Sequence, residues 1–290
     1  MYKLNEKTLE NAQQSKLDSL QQKVNHETSF SAKVSKAQAL WDSKSSSQEG
    51  KKVFEKITQT LSEMCLSVKT CNYCEQNEAN DIEHIFPKSF FPEKTFIWEN
   101  YLLACKQCNS GYKLDKCFVI DDKDNIFFVK RGTEPAYKTM AFIDPRTEDP
   151  NDFLLLNTQT WTFEIKDNLS KTNQHKAEKT REILQLNDRD YLKEGRKSTA
   201  NRLYNLLERL ARINEAQSIQ EIENILAPDD DIIDTSLSIQ EIKEKALIQM
   251  QKVVQSTSHP SVWYAIKSVS SKVNPKWKRI FDVLPMLNNW

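Results

Sequence analysis

Two Cys-x-x-Cys pairs enclose a short segment rich in residues that can do acid–base and metal chemistry. The four cysteines are Cys71, Cys74, Cys105 and Cys108. Each pair places two thiolates on one tight turn, and two pairs at this spacing can close one tetrahedral zinc site. Four sulfur ligands leave no open position for water or substrate, so a reaction must belong to the polar residues that the pairs position. The nearest of these are Glu83, His84, Asn100 and Asn109.

These polar residues are of the types that hydrolyse phosphodiester bonds. A neutral imidazole can activate a water molecule at neutral pH, which suits His84, and we expect its ring to be exposed in the site. A hard cation such as Mg²⁺, held by a carboxylate and an amide oxygen, can stabilise charge on the phosphate. Neighbours on a regular strand point to opposite faces, so Glu83 and His84 can share a site only if the strand ends or twists there. Pro87 follows closely and favours such an end.

The segment resembles the HNH endonucleases, in which a hairpin and a helix form a ββα-metal fold around one divalent cation. His84 matches the histidine that activates the attacking water. Asn100 matches the middle asparagine, which pins the loop between the strands and orders the site. Asn109 matches the metal ligand on the helix, and Glu83 matches an acidic residue that supplies a further ligand. The resemblance therefore implies Mg²⁺ or Mn²⁺ in catalysis, beside a structural Zn²⁺ on the four cysteines.

The resemblance departs from the family pattern on the helix. Many HNH members place a basic residue three positions after the helix ligand, whereas Tyr112 occupies that place here and Lys113 follows it. The sequence alone therefore assigns Lys113 no catalytic role.

The order of motifs downstream is similar to that in the HNH nuclease subunits of Septu-type and retron-associated antiphage defence systems. Two Asp-Pro dipeptides, at Asp144 and Asp149, precede a strand pair and a helical pattern that includes Thr180, Ile183 and Asn187. In those systems the nuclease associates with an ABC-type ATPase, sometimes alongside a retron reverse transcriptase and its non-coding RNA. The chain has no Gly-x-x-x-x-Gly-Lys-Ser/Thr motif of its own, so ATP dependence would have to come from such a partner.

The periodicity and the resemblance together predict an α+β protein, in which a ββα-metal HNH module with a structural zinc knuckle is embedded in a mostly helical chain. In the C-terminal part of the chain, an acidic segment near 227–234 separates the helical patterns, and a capping-box helix begins at Ser238. The predicted regions are an N-terminal helical region at 1–67, the HNH module at 68–118, short strands and connections at 119–170, and a helical C-terminal region at 171–290.

Composition agrees with a globular enzyme. The chain has 290 residues, of which 28% are charged, and its formal net charge is zero. Binding to a polyanion must therefore come from local patches or from a partner. The sequence has no apolar run long enough to span a membrane and no secretory leader pattern at its start, so we expect a cytoplasmic protein.

Three alternatives stay open at this stage. The cysteine pairs are also typical of a zinc ribbon that binds nucleic acid or assembles complexes without nuclease activity. The phosphodiester chemistry does not choose between substrates, although we favour DNA over RNA. The basic and aromatic C-terminus, which includes Trp263 and Trp277, could grip phosphates and bases, but its helical spacing favours a packed face.

Overall fold

A computed structural model describes residues 1–66, 69–226 and 237–290 of the chain. The helices are α1 (Asn11–Asn25), α2 (Phe30–Asp42), α3 (Gln48–Glu63), α4 (Lys171–Ile183), α5 (Asp190–Glu215), α6 (Ile219–Ile225), α7 (Ile239–Gln255), α8 (Pro260–Ala265), α9 (Ser271–Val273) and α10 (Pro275–Val283). The strands are β1 (Asp81–His84), β2 (Tyr101–Ala104), β3 (Phe118–Ile120), β4 (Ile126–Phe128), β5 (Thr139–Met140), β6 (Leu154–Leu156) and β7 (Phe163–Ile165). The α+β prediction is confirmed.

Short helical turns of other types connect these elements. Four are 3₁₀ turns, at Pro92–Lys94, Trp98–Asn100, Pro150–Asp152 and Pro285–Asn289. Two are π-helical, at Gln107–Lys113 and Ile266–Ser270. The first π-helix lies where the family resemblance places the helix ligand.

The chain divides into two compact units. The first consists of Met1–Leu155 and Phe163–Arg189, and the second of Leu156–Thr162 and Asp190–Trp290. The acidic break near 227–234 lies outside the described residues.

Three helices, α1 to α3, open the first unit, in the N-terminal region that the sequence predicts to be helical. Ser29 and Ser47 cap α2 and α3 by accepting hydrogen bonds from the amides of Ala32 and Gly50, as serine does at helix starts. The apolar positions of α3 recur at helical spacing and form one buried stripe against the hairpin β1–β2. The members of this stripe are Val53, Phe54, Ile57 and Leu61.

The strands of the described residues form three small sheets, and α4 follows them in the first unit. In the hairpin, β1 and β2 pair from Asp81 opposite Ala104 to His84 opposite Tyr101. A second sheet has the order β4-β3-β5, and β6 pairs with β7. The strands β3 to β7 lie where the sequence predicts short strands and connections.

Buried polar side chains in the first unit fasten the connections to the elements. Arg146, in the first Asp-Pro segment, donates hydrogen bonds to the carbonyl oxygens of Trp98 and Tyr101 at 2.6 and 2.9 Å. Thr180 accepts a hydrogen bond from the amide of Ile143, and Asn187 bonds both backbone groups of Phe163. The residues of the downstream pattern therefore have structural partners, because each satisfies buried backbone groups.

The second unit is helical. Ser238 and Glu241 form the predicted capping box at the start of α7. At the C-terminus, Trp263, Trp277 and Phe281 are buried, and the rings of Trp263 and Phe281 stack at 5.8 Å between centroids. These aromatic rings form a packed face rather than an open stacking surface. Within the described ranges, no helix combines the length and the apolar character needed to cross a membrane.

Candidate active site

The hairpin β1–β2 and the π-helix after it place the four cysteines in one buried cluster. Their sulfur atoms all lie within 4.8 Å of one another, and the Sγ atoms of Cys74 and Cys105 are 3.9 Å apart. A tetrahedron of thiolates around zinc, with Zn–S bonds of about 2.3 Å, needs sulfur–sulfur distances of roughly 3.8 Å. The cluster therefore has the donor set and the dimensions of a structural zinc site, and the predicted cysteines are brought together.

Hydrogen-bond donors surround the sulfur atoms of this cluster. The amide of Cys108 and the side chain of Asn77 both donate to Cys105 Sγ, at 3.4 and 3.6 Å. The Nη1 atom of Arg189 donates to Cys108 Sγ at 3.4 Å. Such donors stabilise thiolate over thiol, which is the form that binds zinc.

His84 ends β1 with its ring buried, not exposed as we expected from the sequence. Only 6% of the residue is accessible, because the ring packs edge-on against Trp41 at 4.2 Å and Tyr101 at 5.2 Å between centroids. Its Nε2 atom lies 3.0 Å from the carbonyl oxygen of Thr95. A carbonyl only accepts hydrogen bonds, so Nε2 carries the proton and Nδ1 keeps a lone pair.

Burial also decides the charge of this imidazole. Desolvation lowers the pKa of His84 to about 3, and the nearby Lys88 ammonium adds to the effect. The ring is therefore neutral at physiological pH. A neutral ring with a fixed tautomer can accept a proton at Nδ1.

Asn100 ties together the loop that follows β1. Its Oδ1 accepts a hydrogen bond from the amide of Phe86 at 2.7 Å, and its Nδ2 donates to the carbonyl oxygens of Phe86 and Lys94. Its own carbonyl accepts from the amide of Ile85. All the polar side-chain atoms of Asn100 are thus bonded to the backbone of this loop, and the residue is not among those that line the cavity described below.

Glu83 has a different environment from its neighbour. Its carboxylate is 3% exposed and pairs with Lys113, whose Nζ lies 2.5 Å from Oε1, and the Tyr73 hydroxyl donates to the same oxygen at 3.4 Å. Burial raises the pKa of Glu83, and the Lys113 ammonium opposes that effect. The strand ends at His84, and both side chains line one cavity despite their opposite directions on β1.

Asn109 lies on the π-helix, half-buried, beside a carboxylate that we did not predict. Its Nδ2 donates to Asp81 Oδ2 at 3.3 Å. Asp81 lies two residues before Glu83 on β1, so the two side chains leave the same face of the strand. The period of the strand was a signal that could have included Asp81 among the candidates.

A cavity of about 650 Å³ brings the candidate residues to a common surface. Glu83, His84 and Asn109 line it, together with Lys88 and Arg131. One wall comes from a single face of α2. That face consists of Val34, Ser35, Gln38, Trp41 and Asp42.

No feature of the sequence indicates that α2 forms this wall. Residues of α2 that face the cavity recur at the same helical spacing as residues that face a core, and no residue type among them is distinctive. Lys88 becomes a candidate site residue only because the structure places it on the cavity wall.

The cavity can hold a hard divalent cation. Carboxylate and amide oxygens are the ligands that Mg²⁺ and Mn²⁺ prefer, and Glu83 and Asn109 offer both at one surface. Both contacts of the Glu83 carboxylate fall on Oε1, so Oε2 is the oxygen that could bind a metal.

Comparison with known proteins agrees with this geometry. The family model of HNH endonucleases matches residues 71–113, which span the cysteine cluster, the hairpin and the π-helix. These residues form an HNH domain. The prediction from the cysteine spacing and from His84, Asn100 and Asn109 is thereby confirmed at the level of the family.

The HNH domain lies in a chain that is similar to one curated protein. The Septu protein PtuB of Bacillus thuringiensis is 25% identical over 173 residues, which cover 58% of this chain and 56% of PtuB. The matched region is thus little more than half the length of that relative. No solved structure matches the chain.

Proposed function

We propose that this chain is a metal-dependent HNH endonuclease that hydrolyses phosphodiester bonds of nucleic acids, and that it serves as the effector nuclease of an antiphage defence complex. The observation that carries the proposal is the state of His84. Its Nε2 proton is held by the Thr95 carbonyl, its ring is neutral, and it lines the same cavity as Glu83 and Asn109.

In this proposal His84 is the general base. Its Nδ1 accepts the proton of a water molecule as the oxygen of that water attacks the phosphorus atom. The phosphorus–oxygen bond to the leaving group breaks, and the leaving oxygen is protonated from solvent. The tautomer fixed by Thr95 keeps Nδ1 ready for this step without a ring flip.

The remaining residues hold the metals and the loop. Glu83 and Asn109 would hold Mg²⁺ or Mn²⁺, which supplies charge stabilisation for the phosphate oxygens and the leaving oxygen. Asn100 orders the loop after β1, so that the base and the ligands keep their spacing. The four cysteines would hold a structural Zn²⁺.

The partner and the substrate complete the proposal. The similarity to a Septu protein supports an ABC-type ATPase as the partner that gates cleavage, and a retron reverse transcriptase with its non-coding RNA is a further candidate. The net charge of zero gives the chain no general affinity for a polyanion. We propose DNA as the substrate, with RNA tested in parallel, in the cytoplasm.

The test is a cleavage assay with plasmid DNA and with RNA. Wild-type protein, alone and with the proposed ABC-type ATPase partner, is incubated with Mg²⁺, with Mn²⁺ and without added metal, and His84→Asn is the matched variant. Omitting the metal avoids chelators, which would also remove zinc. Cleavage that needs both the metal and His84 supports the proposal. A mobility shift without cleavage in every arm would instead favour a zinc-ribbon binding module.

A further inference from the structure

One lysine of the HNH domain is buried beside the candidate site residues. Lys113 is 1% exposed, although lysine is among the residue types least often buried. Its Nζ lies 2.5 Å from Glu83 Oε1 and donates to the carbonyl oxygen of His84 at 2.8 Å. One ammonium group thus binds the side chain of one candidate site residue and the backbone of the next.

The helix that carries Lys113 has an unusual geometry. Residues Gln107–Lys113 form a π-helix, and the amide of Leu114 donates to the carbonyl of Asn109, five residues earlier, at 2.7 Å. A π turn contains roughly one residue more than an α turn. The fourth residue after Asn109 therefore takes nearly the direction that the third would take on an α-helix.

This geometry accounts for the departure seen in the sequence. Tyr112 occupies the third position after Asn109, and its ring packs under the Arg189 guanidinium at 4.6 Å instead of facing Glu83. The π turn brings Lys113 to β1 although it stands one residue later. Isolated π turns are uncommon and often lie at functional sites.

The bonds of Lys113 also define what it can do. It holds Oε1 of Glu83 together with the Tyr73 hydroxyl, which fixes the plane of the carboxylate. Its bond to the His84 carbonyl ties the helix to the end of β1. Lys113 therefore sets the distance between the strand that bears the base and the helix that bears Asn109.

We propose that Lys113 is a positioning residue, delivered by the π turn, which orients the Glu83 carboxylate toward a divalent cation and fixes the end of β1. The inference rests on the proposed function for the identity of that cation. Partners that orient a metal ligand typically contribute about 10- to 100-fold to metal affinity or activity.

The test is Mn²⁺ binding to the zinc-loaded chain, measured by electron paramagnetic resonance and therefore independent of cleavage. Lys113→Met should weaken Mn²⁺ binding about 10- to 100-fold and keep the zinc content, and it should lower the melting temperature because it leaves the buried Glu83 carboxylate without its charged partner. Lys113→Arg keeps the charge and should restore most of the affinity. Lys116→Met, which removes an exposed lysine three residues later, should bind Mn²⁺ like the wild type.

A register variant tests the π turn separately. Deletion of Gly111 removes the extra residue, so that Lys113 becomes the third residue after Asn109 on an α-helix. Gly111 is not in a crowded position, since a Cβ atom there would meet no atom closer than 3.7 Å. Its deletion should leave the Mn²⁺ affinity within about threefold of the wild type. Loss of affinity equal to that of Lys113→Met, in a folded zinc-loaded protein, would overturn the role of the π turn.

The outcomes separate this inference from the proposed function. Unchanged or tighter Mn²⁺ binding in Lys113→Met would overturn the positioning role, since a lysine that only competes with the metal should release the site when removed. If Lys113→Met does not fold, Lys113→Arg decides the question: Mn²⁺ affinity near that of the wild type supports the positioning role, and a loss of about 10-fold contradicts it. Wild-type protein that binds Mn²⁺ but cleaves nothing would count against the nuclease proposal only.

Discussion

At the scale of single residues, the candidate base shows how one set of contacts can fix charge, tautomer and orientation together. The Thr95 carbonyl holds Nε2, and Trp41 and Tyr101 pack edge-on against the ring of His84. The sequence predicted the identity of this residue but not its burial. Burial depends on residues distant in the chain, which a local motif does not contain.

The first prediction separates chemistry from folding at His84. Because the ring is buried, replacement by alanine would leave a cavity, so we use His84→Asn, which keeps a polar side chain of similar reach. Loss of a general base should lower the cleavage rate about 10²- to 10⁴-fold. Zinc content and nucleic-acid binding should stay near wild type. Cleavage by His84→Asn at the wild-type rate would remove His84 from the mechanism.

The second prediction concerns pH and the stability of the fold. The pKa of His84 is about 3 in the folded chain and about 6.5 in an unfolded one. Between these values the unfolded chain binds more protons, so the free energy of unfolding falls as pH falls through 6.5. From pH 7.5 to pH 5.5 this group alone should cost about 1 kcal/mol.

The measurement is denaturant unfolding of the wild type and of His84→Asn at both pH values. Zinc release at low pH affects both proteins equally, so the difference between them isolates the histidine. The wild type should lose stability relative to the variant as the pH is lowered. If the difference in unfolding free energy between the wild type and His84→Asn did not change with pH, His84 would not be a buried, neutral histidine.

At the scale of elements, the sequence predicts the HNH hairpin and helix well and the surrounding walls poorly. The Cys-x-x-Cys pairs, the short strand signals and the capping box at Ser238 are local signals, and each gave the expected structure. For residues 1 to about 40 the sequence indicates amphipathic helix, whereas in the structure α1 ends at Asn25 and Ser29 caps α2. The cavity-facing side of α2 has no local signal, because its role depends on tertiary packing.

The third prediction tests α2 as part of the site. Trp41→Leu should keep the fold but remove the ring that packs against His84, so the imidazole loses its fixed orientation and the turnover number should fall roughly tenfold or more. Leu40→Ala, on the same helix but not on the cavity wall, is the matched control and should cleave normally. Equal turnover in both variants would show that α2 only packs against the domain.

The fourth prediction concerns the cysteine cluster. Cys105→Ser should release zinc and unfold the HNH domain, because a structural zinc contributes on the order of ten kcal/mol to folding. Cys65→Ala, a half-buried cysteine outside the cluster, should keep zinc and stay folded. Elemental analysis measures the zinc content, and circular dichroism measures the folding. A well-folded wild type without zinc would refute the structural zinc site.

At the scale of the whole molecule, the sequence is most informative about the HNH domain, which is the smaller part of the chain. Residues 71–113 hold the motifs, the cavity residues of β1 and the family match. The C-terminal segment has helical spacing and aromatic residues, from which packing was favoured over stacking on bases. The burial of Trp263, Trp277 and Phe281 agrees with packing, and the exposed apolar residues of the second unit, Ile248 and Val273, had no signal in the sequence.

The last prediction is that a partner controls cleavage. A nuclease that cut host nucleic acid freely would be toxic, and this chain combines a net charge of zero with no phosphate-binding loop of its own. Tight binding of substrate and a trigger should therefore come from an ABC-type ATPase, which would couple its nucleotide state to the HNH domain. Co-expression followed by size-exclusion chromatography should give one complex, in which cleavage depends on ATP and on infection-derived nucleic acid. Separate elution of the two proteins, together with full activity of the isolated chain, would exclude control by that partner.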